Sequence, residues 1–165
     1  MKKIIICIII ILRAGYSMAQ EQLVFPFQGG KEAMNQFFRD SLTVSPGIIQ
    51  KKAVGTAVFK FTANAKGVIS KIIVYYADDA ILAFPVIDAL KKSNHKWIIP
   101  DGEKSHDFVV PFIFNFNAPA EATDDLQKTV YNNYLNKNPI HTSDQLPLDV
   151  ATLLPPVTIT YDIAP

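Results

Sequence analysis

The segment Phe108-Val109-Val110-Pro111-Phe112-Ile113-Phe114-Asn115-Phe116 constrains this chain more than any other. It is the most apolar stretch outside the N-terminus and alternates as a β-strand does, placing Phe112, Phe114 and Phe116 on one face and Ile113 and Asn115 on the reverse. The phenylalanine face is expected to lie on helices. Proline donates nothing to a ladder, so Pro111 is tolerable at an edge or a strand start. Backbone groups two residues apart point the same way. With Pro111 outward, Ile113, Asn115 and Asn117 also turn their N–H and C=O groups outward. An apolar edge of this kind is a template for another strand. Two occupants are open: a partner's extended peptide by β-augmentation, or the chain's own later strand, Val157 to Tyr161.

Helices and further strands can be placed around that strand. Met34, Phe37, Phe38 and Leu42 recur at helical spacing between Gly30 and Leu42, and Ser45-Pro46-Gly47 is expected to end that helix. Gly55 to Thr62 alternates with Ala57, Phe59 and Phe61 on one face. Asn64-Ala65-Lys66-Gly67 then supplies turn chemistry before a second strand, Val68 to Tyr76, so an antiparallel hairpin is predicted. Asp78-Asp79 caps a second helix that begins between Asp79 and Pro85 and closes near Lys91, Lys92 and Asn94. Beyond Asn117 a sparse stripe of Leu126, Val130 and Tyr134 predicts a helix from about Thr123 to Asn136. A proline-containing stretch and the alternating Val157-Thr158-Ile159-Thr160-Tyr161 follow. The expected class is α+β: a three-stranded antiparallel sheet packed on two helices, plus a C-terminal extension with one helix and a short strand.

The 165 residues, 49% of them hydrophobic, provide for one ordinary core. Residues 1 to 20 hold Lys2, Lys3 and Arg13 and no acid, so the rest of the chain carries 13 bases against 15 acids, net −2. That balance argues against a nucleic-acid partner. The same segment reads as a leader: a basic start, an apolar run from Ile4 to Leu12, and Ser17-Met18-Ala19 as the cleavage context. As a helix that run would rise about 1.5 Å per residue, against a hydrocarbon core of about 30 Å. Extended through Arg13 it would place an arginine mid-span. Residues 1–19 are therefore read as a signal peptide, leaving an exported, soluble periplasmic protein without a stable membrane anchor. Cys7, the one cysteine, falls within it, so the mature chain has no thiol chemistry.

Catalytic patterns are sparse. His95, His106 and His141 lie in expected loops and match no metal-ligand spacing. His106-Asp107 is an acid/base pair only by adjacency. No serine sits in a nucleophile elbow, and no phosphate or dinucleotide loop is present. Asp78-Asp79 and Asp124-Asp125 suit helix N-termini. The expectation is a noncatalytic protein without a cofactor or metal; an enzyme would have to use His95, His106 and Asp107.

The order helix, hairpin, helix, strand resembles the C-terminal domain of TonB-type energy transducers across Phe25 to Asn117. The residues that carry the resemblance are Phe27-Gln28-Gly29-Gly30, Ser45-Pro46, Gly55-Thr56-Ala57-Val58-Phe59-Lys60-Phe61, Asn64-Ala65-Lys66-Gly67, and Lys96-Trp97-Ile98-Ile99-Pro100 with Gly102 and Val109-Val110-Pro111-Phe112-Ile113-Phe114. The resemblance implies a domain, residues 25–117, that binds the TonB box of an outer-membrane transporter, or another periplasmic protein, beside its last strand. It also places Gln50 near that peptide. Trp97 is expected in the core. A transducer's membrane anchor and long proline-rich linker have no counterpart between Gln20 and Phe27, so fold carries over more directly than energy transduction. Residues 118–165 are an extension. The alternative is a structural or oligomer-forming domain, a homodimer included, whose edge is closed by its own tail or a second copy.

Overall fold

The computed structural model describes residues 25–118, 123–142 and 150–163. The leader assigned to residues 1–19 lies outside them. The first helix, α1 (Gly30–Ser41), buries Met34 and Phe38 as its stripe requires. Ser45-Pro46-Gly47 does not simply end it. Ser45 caps a second short helix, α2 (Pro46–Lys51), accepting from the Ile48 N–H with Pro46 in the first turn, where its missing donor is no loss.

The hairpin forms as expected. Strand β1 (Gly55–Asn64) pairs antiparallel with β2 (Ile69–Ala77), and β1 pairs antiparallel with β3 (Ser105–Asn117). Asn64 Oδ1 accepts from the N–H groups of Lys66 and Val68, closing the turn. Gly67 follows at φ 70°, with a Cβ there falling 2.7 Å from the Trp97 carbonyl, so both the conformation and the space require glycine. Asp79 caps a 3-10 turn (Ala80–Leu82) that runs into α3 (Ala83–Lys92). Asp78 instead accepts from the Thr56 N–H at 2.6 Å and the Tyr76 hydroxyl at 2.5 Å.

The sheet is larger than three strands and is mixed. Its order is β4-β2-β1-β3, with β5 and β6 sharing the far side of β3. Strand β4 (Ile140–His141) pairs with Tyr76 and Ala77 of β2. Strands β5 (Thr152–Leu153) and β6 (Val157–Asp162) both run parallel to β3. A parallel partner needs a long crossover, and the chain between Asn117 and Thr152, including α4 (Asp124–Leu135), supplies its length. Thr123 caps α4.

One face of the sheet meets α1 and α3 through Ala57, Phe59, Phe61, Phe108, Val110, Phe112 and Phe114, all essentially without solvent contact. Trp97 plugs this layer, 4.5 Å centroid to centroid from Phe61, with its indole N–H donating to Ser93 Oγ at 2.9 Å. The reverse face holds an unexpected buried cation. Lys60, which alternates with Phe59 and Phe61 and so lies on the opposite face, is 3% exposed and pairs with Asp107 at 2.9 Å, while the Thr62 hydroxyl donates to the same carboxylate at 2.6 Å.

Candidate functional site

The edge singled out in the sequence has the predicted orientation, and it is occupied. Pro111 lies opposite Val58, and the N–H of Leu154 donates to the Val109 carbonyl at 2.8 Å, so the odd-numbered residues of β3 do turn their backbone groups away from β1. Ile113, Asn115 and Asn117 share that side. They stand in register with Thr158, Thr160 and Asp162 of β6, and Asn117 Nδ2 adds a bond to Asp162 Oδ1 at 2.6 Å. Of the two occupants left open by the sequence, the chain's own terminal strand fills the β3 edge, so Ile113, Asn115 and Asn117 do not offer the vacant peptide site assigned to them. Gln50 is exposed on α2 and takes no part in the ladder.

Side-chain chemistry explains why the tail seats there. Val157, Ile159 and Tyr161 alternate inward, and with Leu154 they join the core at 1–6% exposure. Tyr161 reaches beneath the sheet margin, its hydroxyl donating to the carbonyl of Ala53 at 2.8 Å and lying 3.4 Å from that of Ile48. Burial pushes its phenol up to about 12. The tail is thus fastened to the loop after α2 as well as to β3. Its alternation was readable in the sequence; its parallel direction and the tyrosine's acceptors were not.

Closing one edge creates another. In the parallel ladder Val157, Ile159 and Tyr161 turn their backbone groups toward β3, so those of Thr158, Thr160 and Asp162 point to the outside. Among the described residues no strand pairs with that side of β6. The side chains of these three residues are exposed. At the opposite margin β4 covers Tyr76 and Ala77, and Asn94 Oδ1 accepts from the Ile69 N–H at 2.8 Å.

The histidines are not brought together. His106 lies with Nδ1 2.7 Å from Glu103 Oε2 and Nε2 2.7 Å from Thr152 Oγ1, clasping β5 to the start of β3. His95 sits in a left-handed turn at φ 67°, 3.2 Å from the Lys66 carbonyl, and His141 lies beside the Tyr76 ring. Asp107 is held by Lys60 and Thr62. Burial opposes ionisation of its carboxyl, but those hydrogen bonds and the lysine's charge outweigh it and hold the group below its usual range. Among the described residues no set of three or more potential metal ligands converges, and no helix is long and apolar enough to cross a membrane.

In comparisons with known proteins, no family model, curated protein or solved structure matches the chain.

Proposed function

We propose that the chain is a noncatalytic protein-interaction module of the periplasm, similar to the TonB C-terminal domain, which adds a partner's extended peptide to its sheet along β6. The observation that carries this reading is the outward row of backbone groups at Thr158, Thr160 and Asp162, on a strand anchored by Val157, Ile159 and Tyr161. Main-chain hydrogen bonds provide the affinity in such complexes, and a rigid receiving strand lowers the ordering cost of binding. The partner is the TonB box of an outer-membrane transporter or an equivalent extended segment of another periplasmic protein. Capture along Ile113, Asn115 and Asn117 would require β6 to leave, exposing the buried side chains of Val157, Ile159 and Tyr161.

The same strand supports a second reading, a structural or homodimeric domain. Two copies of β6 paired antiparallel about a two-fold axis would set Asp162 opposite the start of the other strand, away from the second Asp162. Titration of the mature chain with a TonB-box-like peptide, followed by backbone NMR, separates these readings. Shifts centred on residues 157–162 are expected. Shifts at 111–117 accompanied by loss of the β6 signals would overturn the assignment to β6, and a concentration-dependent dimer indifferent to the peptide would favour the second reading.

A further inference from the structure

Helix α4 buries none of its side chains. Its apolar stripe of Leu126, Val130 and Tyr134 faces a cavity of about 480 Å³, whose opposite wall is Ala53, Val54 and Phe116. Among the described residues nothing packs against this apolar wall, which forfeits its dispersion contacts, and the volume lies within the range of small-molecule sites, about 300 to 1,000 Å³. The charged groups on the lining are unbalanced: Lys51, Lys52 and Lys137 stand with one acid, Asp79, in a chain whose residues beyond position 20 carry a net negative charge.

The cations are loosely held. Lys51 Nζ is 3.8 Å from Asp79, and Lys137 Nζ is 3.9 Å from Asp78 and rests over the Tyr134 ring. Lys52 has no ion-pair partner among the described residues, and its backbone is in the left-handed region at φ 47°, a position that closes α2 and would suit glycine. A lysine in that conformation is strained relative to glycine.

We infer that this cavity is a binding site for a small apolar carboxylate, its alkyl or aryl body lying between α4 and Phe116 and its anionic head meeting Lys52, with Lys51 and Lys137 beside it. The site touches β6 only through Tyr161, which contacts Ala53 and Phe116 of its wall, leaves the outward edge of that strand free, and does not depend on the peptide reading.

The test is calorimetric titration of the full mature chain with decanoate below its micelle concentration, against decylamine as the charge-reversed control. Saturable one-to-one binding is expected, with decylamine at least about tenfold weaker, since opposed and matched charges at a partly buried head differ by more than about 1.4 kcal/mol. Lys52→Gly should weaken decanoate about fivefold, one exposed ion pair's worth, while raising the thermal midpoint. Val130→Trp should abolish binding by filling the space. No saturable binding, equal binding of decylamine, or full affinity in Val130→Trp overturns the proposal. If Val130→Trp does not fold, methyl NMR of the unmodified chain decides: decanoate must shift Leu126 and Val130, and shifts confined elsewhere overturn the site.

Discussion

Lys52, Tyr161 and the Lys60–Asp107 pair each carry a measurable consequence of where they sit. Relief of the left-handed lysine by Lys52→Gly is expected to stabilise the fold by about 1 kcal/mol, read as a higher denaturant midpoint. Tyr161→Phe removes a buried donor from the Ala53 carbonyl and should cost about 1 to 2 kcal/mol. The raised phenol also fixes an alkaline limit. Its stabilisation is complete below the ordinary value of 10.0 and is lost as pH rises toward about 12, so the tail should loosen across that window, visible as tyrosinate absorbance coupled to unfolding. At the acid end the sign reverses. Asp78 and Asp107 are both held below 3.8 despite burial, Asp78 by hydrogen bonds from Tyr76 and Thr56 and the charge of Lys137. Their contribution is present above that value and lost as pH falls through the lower folded values, so stability should decline below about pH 4. Asp107→Ala strands the ammonium of Lys60 and should cost about 3 kcal/mol, whereas Lys60→Met, which removes the buried charge, should change stability by less. A lysine between Phe59 and Phe61 reads in sequence as solvated; its carboxylate partner, 47 positions later, becomes visible only when β1 and β3 are in register.

Among the elements, legibility followed the range of the forces that form them. The β1–β2 hairpin, α1, α3 and α4 were readable because alternation, helical stripes, caps and turn residues act within a few positions. Helix α2 was missed because Ser45-Pro46-Gly47 serves equally as a stop and as a cap followed by a first-turn proline. Strands β4 and β5 have two residues each, too short for any pattern. Strand β6 was readable as a strand but not as a parallel partner of β3, since hydrophobic alternation carries no direction. Proline substitutions test the assigned orientation within β6. Thr160→Pro removes an outward donor and should leave the fold largely intact while abolishing strand addition. Ile159→Pro removes an N–H directed at β3 and should destabilise the chain severely. Thermal unfolding and peptide titration of the pair check this; equal tolerance of both substitutions would contradict the ladder.

For the whole molecule the consequence is that residues beyond Asn117 are not an accessory to a self-sufficient domain. Leu154, Val157, Ile159 and Tyr161 belong to the same core as Phe38, Phe112 and Phe114. Burying four such side chains contributes about 6 to 12 kcal/mol as an upper figure, comparable with the total stability of a domain, about 5 to 15 kcal/mol. Deletion of residues 150–165 should therefore give a chain without a cooperative unfolding transition by circular dichroism. The α+β class and the central three antiparallel strands were legible from sequence because each strand announces one buried face; the size of the sheet was not, because edge closure is decided by contacts between segments some forty residues apart. The most direct test of that closure is residue-resolved amide hydrogen exchange on the chain. Ile113, Asn115 and Asn117 are expected to exchange slowly, as Phe112 and Phe114 do, while Thr158 and Thr160 exchange fast. Rapid exchange at Ile113 and Asn115 beside protected Phe112 and Phe114 would mean that β3 is bare, contradicting both the seating of β6 and the role assigned to its outer edge.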